Sequence, residues 1–370
     1  MTKGNEFTGM KVYYISEKRE KRSTAGAKAP SDISAICKKA GYLEFGMPQF
    51  PSKKNKIYQK LWLLIGGFHN WTKLKNTIEK DSVIIYQHPM YGNRLMMKMI
   101  PMIKKAKHAR FIAVVHDLES LRGGIAGVIQ RSAKTNDIAD NGLLKLFDAV
   151  ICHNEHMRGY LIEQGVDPEK LINLEIFDYL SDEKMVSHEK GDEPSVAIAG
   201  NLSPGKCPYI YKIFDNENNP DLKVHLYGIN YQEDQTEKKL IYHGSFKPEE
   251  LPGKLTGDFG LVWDGESAET CAGNTGYYLR FNNPHKTSLY LSSGMPVIVW
   301  SQAAIADFVL EHGVGMTVDS LAELETKIKN LSADDYKKMC EKAVEIGCKL
   351  REGYFTSKAL KKALEKLETR

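Results

Sequence analysis

Short apolar runs, each about the length of one β-strand and rich in β-branched residues, recur along this chain and alternate with stretches of helical spacing. Residues 10–15, 82–86, 111–115 and 149–152 are such runs, with helical stretches at 32–40 and 157–164. A strand covered on both faces reads as a nearly continuous apolar run, the condition of strands in a parallel sheet. Alternation with helices then points to a doubly wound α/β domain. A polar stretch rich in Glu, Asp, Lys and Gly, residues 181–193, breaks the pattern and reads as a linker. A second α/β series follows at 195–199, 223–227, 240–243, 259–262 and 296–299, and the chain ends in a charged helical segment, 333–369. The expected organisation is an N-terminal domain over 1–180, the linker 181–193, a C-terminal domain over 194–345, and a final helix, 346–370, packing back on the first domain. Ligands of such sheets bind outside the carboxyl ends of the strands, so two of these edges are expected to face each other across a cleft.

Composition narrows the class. The chain has 370 residues, of which 42% are hydrophobic and 26% charged, enough apolar content to bury a core and to exclude wholesale disorder. The net charge of +4 hides an asymmetry: residues 1–110 carry 22 Lys and Arg against 7 Asp and Glu, and the rest carries 29 against 40. A basic part joined to an acidic one suggests an anionic partner, whether nucleic acid, an anionic membrane surface or a phosphate-bearing substrate; a merely solvated basic face is the plain alternative. Six scattered cysteines, with no Cys-x-x-Cys pair, read as reduced thiols. No signal-peptide pattern opens the chain, and its longest apolar run, 61–68, is far short of a membrane span. A cytoplasmic protein, able to lie on the inner face of a membrane, is expected.

Four motifs carry chemistry. Gly200-Asn201-Leu202-Ser203-Pro204-Gly205-Lys206-Cys207 nearly matches a P-loop, but Cys207 stands where the Mg²⁺-binding hydroxyl belongs, which argues against an NTPase. What survives is a Gly-rich turn that can bring N–H groups to an anion, with Lys206 adding charge, against the alternative of an ordinary turn. In Phe281-Asn282-Asn283-Pro284-His285-Lys286-Thr287, Pro284 is placed to open a helix, which puts Asn283, His285 and Lys286 at an N-terminus suited to pyrophosphate; a capped helix with an exposed lysine is the alternative. Trp263-Asp264-Gly265, followed by Glu269, ends a strand with acids able to grip sugar hydroxyls, or simply forms an Asx-turn. His116-Asp117-Leu118-Glu119 closes another strand and offers a general base, unless Asp117 is only a helix N-cap. No Asp-x-Asp and no Gly-x-Gly-x-x-Gly occurs, so a chelating pair of that type and a dinucleotide site have no support. In the basic part, residues 53–65 and 94–110 place Lys and Arg beside Trp, Met and Leu, as a membrane-surface helix does and as a core helix with a basic outer face also does.

At these residues the chain resembles bacterial β-1,6-galactofuranosyltransferases of O-antigen and capsule assembly. The matching stretches are His116-Asp117 with Leu121-Arg122-Gly123-Gly124, Ile176-Phe177-Asp178-Tyr179-Leu180, Ala199 to Ser203, Trp263-Asp264-Gly265 with Glu269-Thr270-Cys271, and Phe281 to Leu291. More distantly it is similar to the glucosyltransferases that extend GlcNAc on streptococcal serine-rich adhesins. The resemblance implies the GT-B fold, two Rossmann-like domains with the donor held by the second, a UDP-sugar donor, and neither cofactor nor metal. It implies that Thr24 and Lys206 contact the nucleotide diphosphate, Tyr227 the uridine side and Lys286 the diphosphate. The donor-binding set expected is thus Thr24, Asn201, Ser203, Lys206, Tyr227, Asp264, Glu269, Asn282, Asn283, His285, Lys286 and Thr287.

The expected activity is inverting transfer of galactofuranose from UDP-galactofuranose to a hydroxyl of a glycan or lipid-linked glycan, with Asp117 as base and His116 or Glu119 as alternatives. Another UDP-hexose transferase and a non-catalytic UDP-sugar- or glycan-binding module are the rival readings. Nucleic acid becomes the least favoured anionic partner, peripheral contact with an anionic membrane is expected, and homo-oligomerisation stays open.

Overall fold

The computed structural model describes residues 10–18, 25–122, 138–186, 188–232 and 239–369. The chain divides into two compact units: residues 1–22, 30–174 and 356–370 form the first, and 23–29 with 175–355 the second.

The first unit is built on six strands, β1 (Val12–Lys18), β2 (Leu43–Pro48), β3 (Val83–His88), β4 (Arg110–Val115), β5 (Ala149–Cys152) and β6 (Leu171–Asn173). They lie in the order β2-β1-β3-β4-β5-β6, every pairing parallel. The second unit has β7 (Ser195–Asn201), β8 (Lys223–Ile229), β9 (Leu240–Tyr242), β10 (Phe259–Val262), β11 (Val297–Trp300) and β12 (Gly315–Val318). Its order is β12-β11-β10-β7-β8-β9, again all parallel, the doubly wound order of a dinucleotide-type fold. β3, β5, β10 and β11 are buried at every position, which is why β5, β10 and β11 are continuous apolar runs and β3 is one up to Gln87 and His88.

Three expectations need correction. Residues 181–193 are not a free linker: Ser181 Oγ donates to the Glu249 carbonyl, and the Gly191 N–H donates to Asp258 Oδ1 at 2.8 Å, so the stretch is tied to the second unit. The units part at Leu174/Glu175, because Glu175, Phe177 and Tyr179 bond within the second unit. The terminal helical segment is two helices, Ala333–Glu352 and Tyr354–Glu368, broken at Gly353, whose φ of 79° is left-handed. Within the first unit the last helix buries Ala359, Leu360, Ala363, Leu364 and Leu367, Arg110 donates to the Leu367 carbonyl, and Lys366 pairs with Glu169 at 3.6 Å.

Candidate active site

The helix His285–Ser292 begins where Pro284 predicts, with Pro284 itself at the N-cap position. Lys286 and Tyr290 are four residues apart and so share one face. Tyr290 fixes that face: its hydroxyl accepts the Ala199 N–H at 2.9 Å, and its ring lies on Gly260 of β10, where a Cβ would come within 2.0 Å of it. Lys286 is thereby carried to the carboxyl end of β7, with its Cε 3.5 Å from where a Cβ on Gly200 would sit. Gly200 and Gly228 have φ of 136° and 151°, and a Cβ on Gly228 would lie 1.7 Å from the Gly200 carbonyl oxygen; backbone alone fits between these strand ends.

Charge is concentrated here by placement. Burial opposes the positive charge of Lys286, while the neighbouring Cys207, Asp264, Tyr290 and Cys271 favour it, and its pKa is raised above the ordinary lysine value. Lys206 Nζ lies 4.0 Å from Asp264 Oδ1, which also accepts the Gly265 N–H at 2.9 Å. Asp264 is therefore the acid near both lysines. Three buried polar atoms in the turn around Lys286 have no hydrogen-bond partner among the described residues: Asn282 Oδ1, His285 Nε2 and Thr287 Oγ1. Buried polar atoms are rarely left so, and a cluster of them at one helix start marks a place for polar ligand atoms. Burial, and then nearby Lys28, push the His285 pKa down to about 3. It is a neutral ring whose other nitrogen bonds the Asp178 backbone, leaving Nε2 an acceptor suited to a hydroxyl.

The other expected residues fall in different places. Asn201 Oδ1 accepts from the Ser203 N–H at 3.2 Å and from Asn230 at 3.1 Å, so it shapes the turn. The Ser203 carbonyl accepts the N–H groups of Lys206 and Cys207. Between β7 and β8 the chain forms only the 3₁₀ turns Pro208–Lys212 and Asp215–Glu217; a P-loop needs a full helix at this point, so the near-match ends at the turn. Asn283 is buried and donates to the Glu175 carbonyl at 2.9 Å. Glu269 is exposed. Tyr227 is buried, its hydroxyl shared with Thr256 at 2.7 Å and its ring stacked on His243 at 4.6 Å. Thr24, Gly123 and Gly124 lie outside the described residues. One cation went unforeseen: Lys28 is 5% exposed, donates to the Leu180 carbonyl at 2.6 Å and lies 4.7 Å from the Tyr179 ring centre, next to His285.

In the first unit, His116, Asp117 and Glu119 follow β4 at its carboxyl end. His116 Nε2 donates to Gln87 Oε1 at 2.8 Å, and the Gln87 amide donates to Ser34 Oγ and the Pro30 carbonyl, which fixes the histidine tautomer. Leu118 immediately precedes the one-turn helix Glu119–Arg122, so Asp117 does not sit at its N-cap position. Beneath it, the fully buried Asp140 meets His88 Nε2 at 3.2 Å and accepts the Ser120 N–H, tying this turn to the end of β3. His88 and Asp140 are 52 residues apart, so spacing carries no signal of them.

Solved structures share this architecture over almost the whole chain. Sucrose-phosphate synthase from Thermosynechococcus elongatus superposes with a TM-score of 0.65 at 12% identity, covering 98% of this chain and 100% of its own. Anabaena HepE in complex with UDP and glucose gives 0.58 at 14%, with the same coverage. Two parallel-sheet domains of this kind define the GT-B glycosyltransferase fold. Family models described as the N-terminal and C-terminal domains of glucosyltransferase 3-like proteins match residues 12–176 and 196–363. The beta-1,6-galactofuranosyltransferase WbbI of Escherichia coli K12 is 32% identical over 362 residues, 97% of this chain and 100% of the relative. Glucosyltransferase 3 of Streptococcus gordonii is 29% identical over 340 residues, 90% and 92% respectively. The chain belongs to the glucosyltransferase 3-like family of glycosyltransferases.

Proposed function

We propose that this protein transfers galactofuranose from UDP-galactofuranose to a hydroxyl of a glycan or lipid-linked glycan in surface polysaccharide synthesis, by single displacement with inversion and without a metal. The observation that carries a UDP-sugar donor is the Lys286 cluster: a cation at a helix N-terminus over Gly200, Lys206 and Asp264 close by, and unpartnered Asn282, His285 and Thr287 atoms around it. Lys286, Lys206 and the helix dipole suit the charge that grows on departing UDP. Asp264 and the acceptors Asn282 Oδ1 and His285 Nε2 suit sugar hydroxyls. Anabaena HepE, of the same fold, has been solved with UDP and with UDP-glucose, which supports a UDP donor. The galactofuranosyl group is supported by the Escherichia coli relative.

The acceptor proton is assigned to Asp117, with His116 and Glu119 as alternatives. Asp117→Asn is expected to lower kcat by about 10²–10⁴-fold, the usual range for a general base. Normal turnover of that variant, with loss in His116→Gln or Glu119→Gln, would move the role to the residue affected.

Release of UDP measured with UDP-galactofuranose, UDP-galactopyranose and UDP-glucose tests the donor. Fastest turnover with the furanose is expected. Preference for UDP-glucose would favour the second reading, for which the 29% identical glucosyltransferase 3 is the support. Tight UDP binding with no product from any donor and any glycan acceptor would make the protein a binding module.

A further inference from the structure

The two amphipathic pieces of the basic part differ in what they cover. The helix Asn93–Lys107 buries Met96, Met99, Ile100 and Ile103 and turns Lys98 and Lys105 outward, so it is a core helix with a basic outer face. The other piece runs through the helix Lys56–Leu61, the π-helical stretch Trp62–Gly67 and the helix Phe68–Thr77. Its inner side, Trp62, Leu63, Gly67 and Trp71, lines an apolar pocket with Phe50 and Tyr91, whose rings stack at 4.1 Å. Its outer side covers nothing among the described residues. Ile57, Leu61, Leu64, Ile65 and Phe68, spaced as one helical face, are 72, 49, 73, 65 and 51% exposed. Single exposed apolar residues are ordinary, but a continuous stripe marks a surface that meets something apolar.

The rim of the stripe identifies the partner. Lys53, Lys54, Lys56 and Lys60 are exposed beside it, and none forms an ion pair among the described residues. From residue 45 to residue 78 the chain contains no Asp or Glu, while Lys73 and Lys75 follow on the same segment. We propose that this face docks on an anionic phospholipid bilayer, with the five apolar side chains in the headgroup–acyl boundary and the lysines on lipid phosphates. A second copy of the chain, paired by a two-fold axis, would set this lysine-rimmed segment, itself without Asp or Glu, against its own lysines. A nucleic acid would use the lysines and leave the stripe in water. The surface does not depend on the donor reading, and a lipid-bound acceptor would be met there in two dimensions.

Co-sedimentation of the full chain with vesicles tests this. Binding to phosphatidylcholine–phosphatidylglycerol vesicles at low salt is expected, weakening as salt rises, with little binding to phosphatidylcholine alone. The double substitution Leu64→Gln and Ile65→Gln is expected to weaken binding at least about tenfold, and each of Lys53→Gln, Lys54→Gln and Lys56→Gln about fivefold. All five positions are exposed, and unchanged thermal unfolding and UDP binding would show the variants folded. A wild-type chain that stays in the supernatant with anionic vesicles, or sediments equally with both kinds, would overturn the proposal. So would lipid-free dimerisation abolished by Leu64→Gln, which would assign the face to a second copy.

Discussion

Two of the places where this chain gathers lysine use charge in opposite ways. Around the start of the helix His285–Ser292, Lys28, Lys206 and Lys286 are few, at most partly exposed, and held against fixed partners: a carbonyl and a ring for Lys28, Asp264 for Lys206, Gly200 and the Tyr290 face for Lys286. Between residues 53 and 60 the lysines are denser and exposed, and none forms an ion pair among the described residues. A net charge sums both arrangements, yet only the first can recognise a small anion with geometry. The second supplies a field, strong at a charged surface and screened within about 8–10 Å in physiological salt. The four cations of the exposed segment count for more in the total, and in the proposed reaction the single Lys286 would count for more in the chemistry.

That contrast can be broken most directly at Lys286. Lys286→Ala is expected to lose on the order of 10²–10³ in kcat with the UDP-sugar, as when one donor to a developing anion is removed. Turnover near normal would reduce Lys286 to another solvated cation and erase the distinction. Gly260→Ala tests whether placement is the cause. Its Cβ would meet the Tyr290 ring, so a stability loss of about 1–3 kcal/mol is expected in chemical denaturation, with reduced kcat because the Lys286 face must shift.

A pH scan sharpens the comparison more gently. Burial pushes His153 from 6.5 down to about 4, and burial and Lys28 push His285 down to about 3. The unfolded chain takes up protons at these rings below about pH 6.5 while the folded chain does not. Their stabilising contribution is therefore complete above pH 6.5 and is lost as the pH falls towards 4 and 3. A melting temperature that stays flat from pH 7 to 4, or a slope unchanged in His153→Gln, would contradict this. The smallest effect belongs to the exposed lysines: Lys60→Gln should change stability by no more than about 0.5 kcal/mol in the same denaturation assay.

The interior strands were legible in the sequence, and of the four edge strands only β9, expected at 240–243, was. β5 and β10 appear with the expected bounds, because both faces are covered and every residue is apolar or small. β2, β6 and β12, each at the edge of a sheet, escaped notice. β2 mixes exposed and buried positions and contains Gly46 and Pro48, and β12 opens on Gly315, so neither offers a continuous apolar run. The candidate site divides the same way. Pro284 announced the helix start and hence Lys286, since that signal is local. Lys28 and the His88–Asp140 pair reach their places only through tertiary folding, and Tyr227, carried over from resemblance, is a core ring whose hydroxyl is already engaged.

The closing helix adds a constraint on synthesis. The first unit needs residues 356–370, which are made only after the whole of the second unit's long segment, 175–355. At about 5–20 residues per second, the early sheet waits roughly ten seconds or more on the ribosome before the apolar row of Ala359, Leu360, Ala363, Leu364 and Leu367 can cover it. A stretch translated after the second unit thus decides when the first sheet is sealed, and a ribosome that stopped at Phe355 would release a second unit with its whole sequence and a first unit still missing one wall.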